Sequence, residues 1–279
     1  MKLLIAGAKG GLARAFLRQV PGHHDVSAFT HEELDVADYH AVMRTVVPLR
    51  PEAILNFAAM TKVDDCQTDE EAAYRANTIG PKNLALAARH SGAVLLHVST
   101  DYVFDGEKPE PYDEVDRPNP ISVYARSKLG GEVAVRELLP EHFIVRSGYV
   151  FGSGTDYLSG AVERLGRGEE AGGITDRTGT PTYVDHLAAR ILPLVLTMRF
   201  GTYHLTGPDR ATWYEVLSRV KDLAGLRGEV RPQRAEDLGL PAPRPKNSAL
   251  RSIFMPDIDV PPMPSLEVAL KEFIDGRGL

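Results

Sequence analysis

A glycine-rich turn directly follows the first apolar segment of the chain. The run Lys2-Leu3-Leu4-Ile5-Ala6 leads into Gly7-Ala8-Lys9-Gly10-Gly11-Leu12-Ala13. This order is typical of a buried parallel strand that turns into a helix. Gly7 permits the tight turn, and Gly10 lets the backbone approach a pyrophosphate held at the helix N-terminus. The spacing Gly-x-x-Gly-x-x-Ala therefore predicts a nucleotide site, whose residues are Gly7, Lys9, Gly10, Gly11, Leu12 and Ala13.

Strand and helix patterns alternate through the first half of the chain. Strands are predicted at Leu3–Ala6, Val26–Phe29, Ala53–Phe57, Val94–Val98 and Phe143–Arg146, and helices at about 11–20, 38–47, 69–90 and 121–138. Such alternation predicts an α/β fold, a Rossmann-type doubly wound parallel sheet that binds ligands at the carboxyl ends of its strands.

Glycines and prolines increase after about residue 150, which predicts a smaller C-terminal substrate-binding lobe. Within this part, Leu187–Leu196 is typical of a buried helix and Tyr203–Thr206 of an edge strand. We therefore assign residues 1–149 and about 181–206 to the dinucleotide-binding domain. Residues of about 150–180 and 207–279 are assigned to the substrate lobe.

Composition excludes several classes of function. The chain has 279 residues and a net charge of −6 without a basic run, so we expect no nucleic-acid partner. No apolar stretch is long enough to span a bilayer, and no signal peptide is expected. Cys66 is the only cysteine, which excludes an intrachain disulfide and fits a cytoplasmic setting. The nine histidines show no metal-ligand spacing.

A tyrosine and a lysine stand one helical turn apart in Tyr124-Ala-Arg-Ser-Lys128. This spacing puts phenol and ammonium on one helix face, where the cation is expected to lower the pKa of the phenol. Upstream, Ser99-Thr100-Asp101 ends an apolar run. A phenol beside hydroxyl groups at a strand end is suited to proton transfer, so we predict Tyr124 as the proton donor or acceptor.

The motifs together resemble the dTDP-4-dehydrorhamnose reductase family of the extended short-chain dehydrogenases/reductases. The matching segments are Gly7-x-x-Gly10, Leu34-Asp35-Val36, Asn56-x-Ala58-Ala59-x-Thr61-x-Val63-Asp64, Ala76-Asn77, Ser99-Thr100-Asp101-Tyr102-Val103-Phe104-x-Gly106, Tyr124-x-x-x-Lys128-x-x-Gly131-Glu132, Gly179-x-Pro181-Thr182 and Arg244-Pro245-x-Asn247-Ser248. The Ser-Thr-Asp-Tyr-Val-Phe run and the late Arg-Pro-x-Asn-Ser distinguish this family from most other extended reductases.

The resemblance implies hydride transfer from a reduced nicotinamide to C4 of a dTDP-linked 4-keto-6-deoxy-L-sugar, which forms dTDP-L-rhamnose. It implies that Tyr124 supplies the proton, that Thr100 hydrogen-bonds the same oxygen, and that Lys128 binds the nicotinamide ribose. Sugar-nucleotide contacts are expected at Thr100, Asp101, Tyr149, Arg244 and Asn247.

Further cofactor contacts are expected at Thr30, Asp35, Val36, Ala58, Ala59, Met60 and Asn77, together with Tyr124 and Lys128. The second strand ends in Thr30-His31, and we expect Glu32 and Glu33 to lie too far along to face the ribose. Because no carboxylate then repels a 2′-phosphate and Lys9 can reach it, NADPH is predicted to be preferred, with NADH also used.

Three departures from the family pattern concern the sugar pocket and the metal. Tyr149 stands where tryptophan is usual, and Asp156 lies near a usual asparagine. Ala15 replaces the glutamate that binds a metal at the dimer interface of some members, so no metal is expected, and the chain is predicted to be a monomer or homodimer. Two alternatives remain: a reductase of another dTDP-4-keto-6-deoxyhexose, and a non-catalytic subunit like the regulatory beta subunit of methionine adenosyltransferase.

Overall fold

Six parallel strands form the central sheet of the protein, whose computed structural model describes all 279 residues. In chain order the strands are β1 (Lys2–Ala6), β2 (Asp25–Phe29), β3 (Ala53–Asn56), β4 (Val94–Thr100), β5 (His142–Ser147), β6 (Val150–Phe151), β7 (Ala171–Ile174), β8 (Thr182–Tyr183), β9 (Gly201–His204) and β10 (Val230–Gln233). The central sheet has the order β2-β1-β3-β4-β5-β9. From β1 the chain adds β2 on one side and then β3, β4, β5 and β9 on the other, so the switch in strand order lies between β1 and β3. This arrangement confirms the predicted Rossmann-type fold.

Helices cover both faces of the sheet. They are α1 (Gly11–Gln19), α2 (Tyr39–Leu49), α3 (Val63–Thr68), α4 (Glu70–Tyr74), α5 (Gly80–Ser91), α6 (Val123–Leu138), α7 (Tyr157–Gly166), α8 (Val184–Leu196), α9 (Trp213–Ala224) and α10 (Leu266–Asp275). Strand side chains alternate between two cores: Leu3 and Ile5 pack with α1 and α8, whereas Leu4 and Ala6 pack with α2, α5 and α6. None of the ten helices is both long and apolar enough to cross a membrane.

The helix predicted over about 69–90 is interrupted in the structure. Asp69 caps α4 by accepting a 3.0 Å hydrogen bond from the Ala72 amide, and a π-helical turn over Arg75–Ile79 joins α4 to α5. Pro81 has no N–H with which to continue the regular ladder. Gly131 of α6 packs onto this turn, where a Cβ would lie 2.2 Å from the Asn77 carbonyl oxygen.

The last third of the chain contains both confirmed and missed elements. The predicted edge strand is present as β9, paired in parallel with β5, and the predicted helix before it is present as α8. Two short parallel pairs, β6 with β8 and β7 with β10, were not predicted. Helix α7 packs against β6 and β7, and α9 packs against β7 and β10, so the two pairs join these helices to the segment that follows β5.

Candidate active site

Two adjoining clefts lie along the carboxyl ends of the central strands. The first has a volume of about 780 Å³, the second about 520 Å³, and both are lined by Gly10, Phe57 and Ala59. The first cleft is bounded by the glycine turn and the loops after β2 and β3. The second extends to the ends of β4 and β5. Together they form one groove at the position where a doubly wound sheet binds its ligands.

The glycine turn forms the junction of the two clefts. Gly7 has a φ of +86°, and a Cβ there would lie 2.6 Å from the backbone nitrogen of Ala58. The amides of Gly7 and Ala8 both donate to the Phe29 carbonyl, which ties the turn to the end of β2. Gly10 is the N-cap of α1 and lines both clefts, while Gly11, Leu12 and Ala13 line the second. The N-terminus of α1 therefore faces the groove with its unpaired amides, as diphosphate binding requires.

The end of β2 differs from the expectation. Glu32 lines the first cleft and forms a 3.0 Å ion pair with Lys9, whereas Thr30 and Glu33 lie outside the lining. The chain folds back here, since the amide of Leu34 donates to the Thr30 carbonyl and Glu33 accepts from the Thr30 amide. The expectation that Glu32 lies too far along is therefore wrong. Hydrogen bonds from its own amide and from Lys9 and Thr30 lower the pKa of Glu32 to about 2.

Most of the other expected cofactor residues line the first cleft. They are Asp35, Val36, Ala58, Ala59 and Met60. Asn77 does not line it but lies buried behind the loop after β3. Its side chain accepts from the Met60 amide at 2.9 Å and donates to the Met60 carbonyl and to Ser127, each at 3.0 Å. Asn77 therefore shapes the cleft wall without forming it.

Thr100, Tyr124 and Lys128 all line the second cleft. Thr100 is the last residue of β4, and its hydroxyl donates to Asp101 at 3.0 Å. Ser122 caps α6, which presents Tyr124 and Lys128 one turn apart toward the strand end. The ammonium of Lys128 donates to the Val98 carbonyl at 2.7 Å, and burial lowers the pKa of Lys128 to about 8.

The pKa of Tyr124 differs in direction from the expectation. Burial raises it above its ordinary value, and the interaction with the Thr100 hydroxyl only partly opposes this effect. The expected lowering by Lys128 is wrong, because the lysine directs its charge to the Val98 carbonyl and the phenol lies in a poorly solvated wall. Tyr124 is accordingly protonated at neutral pH.

Aromatic rings form the far end of the second cleft. Tyr149 has a φ of 47°, an uncommon conformation for a residue with a side chain, and stacks on Trp213 with ring centroids 4.8 Å apart and planes within 1°. Gly179 lies against the Tyr149 ring, where a Cβ would be 2.5 Å away. Sequence reasoning missed Trp213, although it is the only tryptophan in the chain. Asp101 lies beside these rings, and burial raises its pKa to about 7.

Arg244 and Asn247 do not line either cleft. Arg244 forms a bidentate ion pair with Asp64, at 2.7 and 3.1 Å. The Asn247 amide donates to the carbonyls of Lys108 and Glu110, which fixes the late Arg-Pro-x-Asn-Ser segment to the loop after β4. Asp156 caps α7 by accepting from the Ser159 amide. In this structure, all three side chains bind the protein itself.

The chain matches known proteins over almost its whole length. Residues 1–277 match the family model of the RmlD substrate binding domain. The structure of a dTDP-4-dehydrorhamnose reductase from Bacillus anthracis, in complex with NADP, is 34% identical and superposes with a TM-score of 0.95 over 99% of both chains.

Two similar sequences carry different names. A Mycobacterium tuberculosis protein named dTDP-4-dehydrorhamnose reductase is 36% identical over 90% of this chain and 85% of its own length. A Streptomyces antibioticus protein named as a probable dTDP-4,6-dihydroxy-2-methyloxan-3-one 4-ketoreductase is 38% identical over 90% of this chain and 86% of its own. The family resemblance drawn from the motifs is thus confirmed, and the chain belongs to the RmlD substrate binding domain family.

Proposed function

We propose that this protein reduces the C4 keto group of dTDP-4-dehydro-L-rhamnose to give dTDP-L-rhamnose, with NADPH as the preferred reductant. The observation that carries the proposal is the convergence of Thr100, Tyr124 and Lys128 on one cleft. That cleft adjoins the glycine turn, as reduction of a carbonyl next to a bound dinucleotide requires. The names of the relatives supply the substrate class.

The side chains are suited to each step of carbonyl reduction. When bound, the nicotinamide supplies the hydride. Tyr124 holds its proton at neutral pH and is therefore ready to donate it to the oxygen that becomes a hydroxyl. The Thr100 hydroxyl is available to hydrogen-bond that oxygen as negative charge develops on it. Lys128 remains largely an ammonium at neutral pH, and its bond to the Val98 carbonyl leaves it further N–H groups with which to bind the nicotinamide ribose.

The first cleft has groups for both forms of the cofactor. Lys9 is exposed and can pair with a 2′-phosphate, while the Glu32 carboxylate can accept a hydrogen bond from a free 2′-hydroxyl. Because the two side chains are paired with each other, binding of either cofactor exchanges one partner for another. We infer that NADPH is preferred by a modest factor and that NADH is also used.

A reductase of another dTDP-4-keto-6-deoxyhexose is the second candidate. The observation that favours it is the far end of the second cleft, where Tyr149 stands at a position usually held by tryptophan and stacks on Trp213. The Streptomyces relative, named for a different keto sugar, agrees with this possibility. A non-catalytic regulatory role would not require the set of Thr100, Tyr124 and Lys128, which is intact here.

The test is NADPH oxidation with dTDP-4-dehydrorhamnose generated in place by a 4,6-dehydratase and a 3,5-epimerase. The control omits the epimerase, so that only the 4-keto-6-deoxy-D-glucose nucleotide is present. Oxidation that depends on the epimerase supports the proposal. Equal rates without the epimerase assign the activity to the D-sugar, and no oxidation with either sugar contradicts a reductase role on these substrates.

A further inference from the structure

A row of polar side chains crosses the central sheet beneath α6. Ser99, Arg146 and His204 are paired in register across the adjacent strands β4, β5 and β9. Cross-strand partners point to the same face of a sheet, so the three side chains form one continuous line. Its member on β4, Ser99, is the residue before Thr100 and lines the second cleft.

Glu132 of α6 contacts two members of this row. Its Oε1 accepts from the Ser99 hydroxyl at 2.6 Å and from Arg146 Nε at 2.9 Å, and its Oε2 accepts from the second nitrogen of the Arg146 fork at 2.7 Å. Glu132 is completely buried, and Arg146 is 2% exposed. Burial alone would raise the pKa of Glu132, but Arg146 and Ser99 hold it below its ordinary value, so the carboxylate is charged.

The arginine extends the network to the lobe that follows the sheet. Its remaining terminal nitrogen lies 3.4 Å from His204 Nε2, and its guanidinium stacks over the Phe104 ring at 5.3 Å. The other ring nitrogen of His204 lies 2.9 Å from the Arg251 carbonyl and 3.2 Å from that of Tyr112. The same network therefore holds the catalytic helix, the end of β4 and the late loop around Arg251.

Stability alone is a poor reason for this arrangement. Removing two charges from water costs free energy that their attraction only partly returns, and well-packed apolar side chains of similar volume often stabilise a fold as well or better. An apolar pair, however, does not fix the relative orientation of the two segments that carry it. A bidentate arginine–carboxylate pair fixes distance and angle at once, because both groups are planar and have two matching contacts.

The pair lies where the proposed reaction requires β4 and α6 to keep a fixed relative orientation. Tyr124, Lys128 and Glu132 follow one another at four-residue intervals and share a face of α6. On the strand, Ser99 is bonded to Glu132 and Thr100 follows it. Lys128 is bonded to the Val98 carbonyl of the same strand. We propose that the Glu132–Arg146 pair is a positioning element that sets Thr100 on β4 relative to Tyr124 and Lys128 on α6.

This inference rests on the proposed reductase function, and its test separates two roles of the pair. Glu132→Leu combined with Arg146→Met replaces the pair by apolar side chains. We expect the melting temperature to stay near that of the wild type, while kcat falls at least tenfold and the Kd for NADPH changes less than threefold. A double variant with wild-type kcat would overturn the proposal, because the pair would then serve folding alone.

A milder variant covers the case in which the double variant fails to fold. Ser99→Ala removes only the hydroxyl that joins Glu132 to β4, and it should lower kcat by threefold or more with unchanged NADPH affinity. Unchanged kcat in this variant would contradict the inference. The matched control is Val195→Ala on the opposite face of the sheet, which removes buried apolar contacts but should leave kcat unaltered.

Crystal structures of the same variants give a readout that does not depend on activity. The inference expects a longer distance between the hydroxyl oxygens of Thr100 and Tyr124 in Ser99→Ala and in the double variant, but not in Val195→Ala. An unchanged distance refutes it. If the wild type lacks reductase activity, the proposed function fails, and this distance still decides whether the pair positions the two hydroxyls.

Discussion

Replacing Gly7 by alanine should weaken NADPH binding strongly while it lowers the melting temperature by only a few degrees. A Cβ at this position would lie 2.6 Å from the Ala58 nitrogen and 2.9 Å from the Phe57 carbonyl carbon. Ordinary contact begins near 3.4 Å, so the glycine turn and the loop after β3 must separate by about 0.8 Å. Since the neighbours are backbone atoms, no side chain can rotate away to relieve the contact.

The expected loss of NADPH affinity follows from the positions of the glycine turn and the loop after β3. Both form the wall of the first cleft, and a shift of this size lengthens a backbone hydrogen bond to a phosphate beyond its useful range. Loss of one such charge-assisted bond costs about 1.5–3 kcal/mol, so the Kd for NADPH should rise by roughly 10- to 100-fold. The left-handed φ adds a cost of about 1–2 kcal/mol to folding.

Gly92→Ala is the matched control. Gly92 ends α5 with a φ of +73°, and nothing lies within 4 Å of the position that its Cβ would take. Both variants should lose a few degrees of melting temperature, roughly 2–4 °C per kcal/mol for a chain of this size. Only Gly7→Ala should lose NADPH affinity, as measured by fluorescence titration. An affinity within twofold of the wild type in Gly7→Ala would refute the reasoning from the close backbone contact.

Four further changes have defined outcomes. Tyr124→Phe should lower turnover by roughly 10²–10⁴-fold with little change in NADPH affinity, because only the proton donor is lost; near wild-type turnover with chemistry rate-limiting would exclude this role. The ratio of kcat/KM for NADPH to that for NADH should exceed one in the wild type, and Glu32→Gln should increase it by removing a negative charge from the first cleft. A tenfold preference for NADH in the wild type would show that Glu32, and not Lys9, determines which cofactor is preferred. Asp101→Asn should raise the melting temperature relative to the wild type more at pH 8 than at pH 5. The folded-state pKa of Asp101 is raised to about 7, so the stability that its protonated form contributes is lost as pH rises through that value; a pH-independent difference would contradict the buried-acid assignment. EDTA should change neither activity nor oligomeric state, as followed by light scattering, and chelator-induced dissociation of a dimer would show that a metal is bound after all.

The sheet was predictable because its signals are local. A strand that leads into a glycine turn, or a phenol and an ammonium one helical turn apart, is specified by residues close in sequence. The predicted strand ends placed Thr100 and the glycine turn on one edge, and both line the groove. The position of Glu32 was missed because it depends on how the chain turns back after β2, which the strand pattern does not contain.

Other features depend on distant partners and leave no local signal. Arg244 is bonded to Asp64, and Trp213 at the start of α9 stacks on Tyr149, which lies 64 residues earlier in the chain. The pairs β6 with β8 and β7 with β10 contain two to four residues per strand, too few for a periodic pattern. Asn77 was identified by its motif, but its position behind Met60 depends on the π-helical turn before α5.

The Tyr149–Trp213 stack also provides an intrinsic fluorescent probe of the second cleft. Because Trp213 is the only tryptophan in the chain, selective excitation of tryptophan reports on the far end of the second cleft, where we propose that the sugar binds. Its emission overlaps the absorption of a reduced nicotinamide, so under the proposed function we expect energy transfer to bound NADPH and a separate change in emission when a nucleotide sugar reaches the stack. A single stopped-flow trace would then give the order in which the two ligands bind, without an added label.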